Sequence, residues 1–137
     1  MTIKKNLGEL IGNTPILEIE STRSDWKIYL KLEYFNPAGS FRDRTAYALI
    51  NAAENAGTLK KGMTLFESSS GNTAKALAMI CAARGYKFIA IVDQHAPTDK
   101  LNAIKAYGGN LHFCVEDKNS EGGHFVDVRR EISQKNL

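Results

Sequence analysis

The chain has 137 residues, 43% of them hydrophobic and 24% charged, with a formal net charge of +3. That is enough for one domain with its own core, in a composition ordinary for globular proteins. The basic residues form no arginine-rich tract and meet no interleaved aromatic set, which argues against nucleic acid, and no apolar run approaches membrane-spanning length.

The first residues, Met1-Thr2-Ile3-Lys4-Lys5, are not followed by the apolar core of a signal peptide, so the expected location is cytoplasmic. Asn6 to Gly12 reads as one short helical turn with Leu7, Leu10 and Ile11 as its apolar side, broken by Gly12-Asn13-Thr14-Pro15. Ile16 to Ile19 is a short strand and Ser21 to Asp25 a polar turn. Trp26 to Glu33 alternates apolar and polar residues, the pattern of a strand covered on one face. Tyr34 to Phe41 is a long loop with Pro37 and Gly39. Phe35 and Phe41 flank it and are expected to anchor it on the core, the alternative being that they cover a pocket.

A helix is predicted from about Arg42 to Ala56, with Ala46, Leu49, Ile50 and Ala53 as its inward stripe. Ser40 suits its N-cap with Asp43 at capping-box spacing, and Gly57 suits the residue just past its end. Met63 to Phe66 is a strand. The loop Glu67-Ser68-Ser69-Ser70-Gly71-Asn72-Thr73 follows, and then an alanine-rich helix from about Asn72 to Arg84, apolar nearly all round and stopped by Gly85. Lys87 to Val92 is a near-continuous apolar strand of the kind buried in parallel sheets. A helix from about Thr98 to Tyr107, a strand from Leu111 to Val115 and a helix from Gly122 to Gln134 complete the series.

Strand and helix alternate from Lys27 onward. The expected fold is α/β: a three-layer parallel sheet of about four strands with helices on both faces, plus an N-terminal arm. The expected division is an arm over 1–25 and a small α/β domain over 26–137. The central loop then lies at the carboxyl end of a strand, where open α/β sheets bind ligands. A glycine, an amide and three hydroxyls at a helix start suit a carboxylate or phosphate, because the first N–H groups of a helix lack internal partners and carry partial positive charge. A plain helix cap needs one such hydroxyl, not three.

Cys81 and Cys114 form no close-spaced pair, so they read as small buried hydrophobes, not zinc ligands. His95, His112 and His124 share no ligand spacing, and Asp93 and His95 read as loop residues. No metal is expected.

Two motifs carry a resemblance. One is Lys31-Leu32-Glu33 with Asn36-Pro37-Ala38-Gly39-Ser40-Phe41-Arg42-Asp43-Arg44; the other is Ser69-Ser70-Gly71-Asn72-Thr73. Together with Gly12-Asn13-Thr14-Pro15, Ala83-Arg84-Gly85-Tyr86 and Lys105-Ala106-Tyr107-Gly108-Gly109 they resemble the cysteine synthase / cystathionine β-synthase family of fold-type-II pyridoxal-phosphate enzymes. The resemblance implies β-elimination and β-replacement on a serine-derived amino acid. It implies that Ser69, Ser70, Gly71 and Thr73 hold the substrate carboxylate and that Asn72 neighbours the cofactor. In the family a lysine stands where Arg42 stands and links covalently to the cofactor. A second domain supplies the phosphate loop and the pyridine-nitrogen contact, and the N-terminal arm packs on it.

Arg42 departs from that pattern. A guanidinium stays protonated and is a poor nucleophile, so it cannot do the lysine's work. Lys31, Lys75 and Lys87 are other primary amines; a covalent link needs positioning as well as an amine, so none is a strong substitute. The expectation is therefore a cysteine-synthase-like chain without catalysis of its own and without covalently bound pyridoxal phosphate. Its expected partners are a small amino acid or other carboxylate, and a second copy or a complementary chain. The alternatives are a non-catalytic module for carboxylates or C-terminal peptides, or one half of a split enzyme. A generic nucleotide binder is disfavoured by the missing glycine-rich phosphate fingerprint.

Overall fold

The computed structural model describes residues 3–114. The arm opens with a single 3-10 turn over Leu7–Leu10. Asn6 starts it by accepting the Glu9 N–H at 3.2 Å and donating its side-chain amide back to the Glu9 carboxylate. Gly12 and Asn13 then take positive φ angles of 91° and 46°, which end the turn and redirect the chain into β1, Ile16–Ile19.

β1 pairs antiparallel with β2, Ile28–Lys31, as a separate two-stranded sheet. The strand expected around Trp26 to Glu33 is thus real, but it does not join the parallel sheet. The short connection from Ile19 to Ile28 permits an antiparallel return, whereas parallel neighbours need a longer crossover. Register places Leu17 opposite Leu30 and Ile19 opposite Ile28, so four aliphatic side chains share one face. That face is open: Leu17, Leu30 and Ile28 are 49%, 44% and 36% exposed.

A second 3-10 turn, Glu33–Phe35, leads to the loop before α1, Arg42–Asn55. α1 buries Ala46 and Ile50 as its stripe requires, but Leu49 is exposed. Phe35 and Phe41 are exposed as well. Phe35 stacks on Tyr34 with ring centroids 4.7 Å apart, so these rings do not anchor the loop on the core.

The rest is one parallel α/β unit: β3 (Thr64–Ser68), α2 (Asn72–Arg84), β4 (Lys87–Val92), α3 (Thr98–Ala106) and β5 (Asn110–Phe113). The parallel sheet has the order β3-β4-β5, three strands among the described residues. Consecutive neighbours joined by right-handed crossovers carry both crossover helices on one face. The core agrees: Phe88, Ala90 and Val92 from β4 cluster with α2 and α3. Helices flank the described sheet as the α/β expectation requires; the further helix expected over Gly122 to Gln134 lies outside the described residues. α2 is the hub, with Ala74 and every residue from Ala76 to Cys81 buried. Gly85, at φ 78°, closes it by letting its own N–H and that of Tyr86 return to the Ala82 and Cys81 carbonyls. Burial pushes the Cys81 thiol up to about 11, and Cys114 is buried too.

Candidate carboxylate site

The carboxyl edge of the parallel sheet gathers three helix starts. α2 and α3 begin just after β3 and β4 end. α1 runs alongside α2 in the same direction. Arg84, at the end of α2, donates to Asn51 and pairs with Glu54 near the end of α1, while Lys75, in the first turn of α2, reaches Gly39 just before α1. Neither Gly71 nor Pro97 gives a side-chain cap to the helix it precedes. The first N–H groups of α2 and α3 therefore face outward at a positive edge.

The loop between β3 and α2 is shaped from within. Ser69 Oγ accepts the Gly71 N–H at 3.2 Å, a local turn that leaves the Ser69 hydroxyl proton free to donate outward. Ser69, Ser70, Gly71 and Thr73 are half-buried and Asn72 is exposed. Gly71 stands at the N-cap with ordinary extended backbone angles, φ −108° and ψ −154°. Ser68 Oγ is buried with no hydrogen-bond partner among the described residues.

A cleft of about 220 Å³ opens in front of Gly71 and Asn72. Its other walls are Lys75 of α2 and Asp99, Lys100 and Ala103 of α3. The α3 wall was not foreseen from sequence. Its signal was topological: a helix that follows the next strand of a parallel sheet starts beside the first one. The cleft offers backbone N–H groups, the Asn72 amide and the Lys75 and Lys100 ammonium groups to an anionic ligand, with the Asp99 carboxylate on the same wall; Ser69, Ser70 and Thr73 are not among its lining residues.

Arg42 is exposed at the start of α1, its guanidinium 4.6 Å from the centre of the Phe41 ring. It is not among the residues that line the cleft. Its backbone N–H donates to Ser40 Oγ at 3.1 Å, a local turn just outside the helix; the N-cap position itself is Phe41, without a side-chain cap, and not Ser40 as the sequence suggests. Asp43 reaches back further, to the Ala38 N–H at 2.6 Å. Asp43 is fully buried and its Oδ1 has no hydrogen-bond partner among the described residues. Burial pushes its carboxyl up; the N–H groups of Ala38 and Ser40 and the Lys75 charge pull it back. Sequence reading placed Asp43 only as a capping residue, yet it ties the Pro37 to Ser40 loop to α1.

The Gly12-Asn13-Thr14 motif turns out to be a clamp. Arg44 grips Glu33 with two parallel bonds of 2.9 and 3.0 Å, and Thr14 Oγ1 donates to the same carboxylate at 2.7 Å. The Asn36 side chain donates to Glu33 and accepts the Gly12 N–H at 2.8 Å. Lys31 Nζ donates to the Thr14 carbonyl. Arm, loop and α1 thus meet on one carboxylate, and Lys31 of β2 ties to the arm beside it. Arg44, with help from Thr14, holds the Glu33 carboxyl down at about 2, against an ordinary 4.5. A depressed carboxylate stabilises the fold above its unfolded pKa, and that stability is lost as pH falls through the folded value. Thermal midpoints should therefore drop between pH 4.5 and 2, and E33Q should flatten that part of the profile while lowering the midpoint at pH 7.

Asp93 behaves as a turn residue, accepting the His95 N–H at 2.6 Å. His112 is exposed on β5, and His124 lies outside the described residues. Among the described residues no three His, Cys, Asp or Glu side chains gather as metal ligands. No helix there is long and apolar enough to cross a membrane.

Residues 7–136 match the family model described as pyridoxal-phosphate dependent enzyme. The chain is 42% identical over 137 residues to a probable cysteine synthase of Bacillus subtilis, covering 98% of this chain and 43% of that protein. It is 38% identical over 127 residues to the O-ureido-L-serine synthase of Streptomyces lavendulae, covering 92% and 39%. Among solved structures it is similar to a cysteine synthase from Entamoeba histolytica, with 32% identity, a TM-score of 0.86 and coverage of 98% and 41%. The chain spans about two fifths of the length of the relatives it matches.

Proposed function

The chain belongs to the pyridoxal-phosphate dependent enzyme family, and from that premise we propose that it is a cysteine-synthase-like carboxylate binder whose covalent step is withheld. The uncapped start of α2 carries this reading. There Ser69, Ser70, Gly71 and Thr73 hold the carboxylate of a small amino acid through N–H groups and hydroxyls, and Asn72 faces the place of the family's cofactor. The relatives' names, a cysteine synthase and an O-ureido-L-serine synthase, point to a serine-derived substrate class.

The residues at the start of α1 do not fit a covalently held pyridoxal phosphate. The position that needs a neutral primary amine offers an exposed guanidinium stacked on Phe41. The chain on its own accordingly binds without catalysing. Calorimetric titration with L-serine tests the reading, with a C-terminal carboxylate peptide as its second arm. Heat with serine supports it, heat with the peptide alone favours a peptide-binding module, and silence with both removes the carboxylate site.

The same proposal includes a protein partner and a cytoplasmic setting. Ten of the large exposed apolar side chains lie between Leu10 and Phe41, and a two-stranded sheet with an open aliphatic face is not stable by itself. A second copy, or a polypeptide equivalent to the remainder of the relatives' length, covers it. Light scattering at micromolar concentration should give a mass above that of one chain, alone or with the complementary polypeptide, and L30K should return it to one chain. A single-chain mass under both conditions contradicts the partner.

A further inference from the structure

A second cavity lies away from the Ser69 loop. It measures about 470 Å³ and is bounded by the arm from Lys5 to Gly8, by Tyr47 of α1, and by Ile80, Ala83 and Arg84 of α2. Arg84 belongs to the last turn of α2, so this cavity is at the opposite end of the helix pair from the carboxylate loop. Nothing in the proposed function uses it.

Its chemistry is two-sided. Leu7, Ile80, Ala83 and the Tyr47 ring make an apolar floor, and Lys5 and Arg84 are its only charged walls, both cationic. Arg84 is fixed from behind. It pairs with Glu54 and donates to Asn51 at 2.7 Å, its guanidinium carbon is 5.0 Å from the Tyr47 ring centre, and the Tyr86 hydroxyl donates to the other Glu54 oxygen at 2.9 Å. Glu54 balances Arg84, which leaves Lys5 as the unbalanced charge. Gly8 makes the lip, because a Cβ there would run into the Tyr47 ring. The volume is that of a small-ligand pocket, and a guanidinium held by Glu54 and Asn51, with an ammonium lining the same cavity, suits a planar anion.

We propose that this cavity is a second binding site, separate from the α2 loop, for a small amphipathic monocarboxylate whose chain lies on Leu7, Ile80 and Ala83 and whose carboxylate meets Lys5 and Arg84. Charge complementarity selects the head group, since Lys5 and Arg84 line the cavity and Glu54, behind Arg84, balances only one of the two cations. Burial of the chain against Leu7, Ile80 and Ala83 selects an apolar tail. Occupancy would also fasten the arm to the helices, because the arm forms one wall.

The probes are octanoate, octan-1-ol and octylammonium, followed by amide NMR on the full chain. Octanoate is expected to shift the Gly8, Ile80 and Arg84 amides, with an affinity at least tenfold above octan-1-ol and none for octylammonium. A83F fills the cavity from an exposed helix position and should abolish the shifts. K5Q, on the exposed arm, should weaken octanoate about fivefold without changing octan-1-ol. K5Q keeps the test decisive should A83F fold poorly. Equal affinity for octanoate and octan-1-ol, shifts confined to the Gly71 to Ala74 amides, or indifference to K5Q would each overturn the site.

Discussion

G71D should make the protein more stable and blind to carboxylates. Gly71 is the N-cap of α2 and gives it no side-chain bond. Its φ of −108° is open to any residue, and the atom nearest a Cβ placed there is Ser69 Oγ at 4.0 Å. An aspartate fits without strain, accepts a first-turn N–H and complements the helix dipole. Losing glycine also narrows the unfolded ensemble. The gain should be about 1 kcal/mol, read as a rise of a few degrees in the thermal midpoint. The same carboxylate occupies the place proposed for the ligand. Two like charges about 4 Å apart repel by about 4 kcal/mol at an effective dielectric constant of about 20, so affinity for L-serine should fall about a hundredfold or more. A merely structural loop would give the stability gain alone. A loop that binds its ligand elsewhere would keep the affinity.

R42K should restore what the guanidinium withholds, once the rest of the fold is supplied. The expected outcome compares two mixtures, each with the polypeptide equivalent to the unmatched part of a relative's chain. Each is treated with pyridoxal phosphate, reduced with borohydride and mapped by mass. The unaltered chain should show no stoichiometric adduct on the Asn36 to Arg44 or Ser69 to Lys75 segments. R42K should show one adduct per complex at position 42. The contrast is between a group that stays protonated in proteins and a primary amine that can lose its proton and attack a carbonyl. An adduct of equal yield in both mixtures would mean that another amine serves, and Lys75, beside Gly39 and the cleft, is the residue to examine first.

Much of the frame could be read from residue patterns because local signals agreed with one another. α2 begins at Asn72 and ends at Arg84, where the loop glycine and Gly85 had placed its ends, and β4 occupies Lys87–Val92, its continuous apolar run. What failed was pairing. The alternation of Trp26 to Glu33 declares a half-covered strand but is silent about its neighbour, and β2 went to β1. Periodicity likewise put Leu49 inward, although only Ala46 and Ile50 on that stripe are fully buried. At the site, the Ser69 to Thr73 loop was legible from its composition and its position after a strand. Lys75, Asp99 and Lys100 were not, because they meet only when two βα units are laid side by side. The Glu33 clamp was hidden for the same reason: Thr14, Glu33 and Arg44 lie far apart in the chain and converge through the arm.

The most direct test is a residue-resolved amide titration of the unaltered chain with L-serine, run against sodium chloride at matched ionic strength. Saturable shifts at Gly71, Asn72, Thr73 and Ala74, absent with chloride, are the expected result. Uniform small shifts that chloride reproduces, with those four amides unmoved, would contradict a carboxylate held at the start of α2.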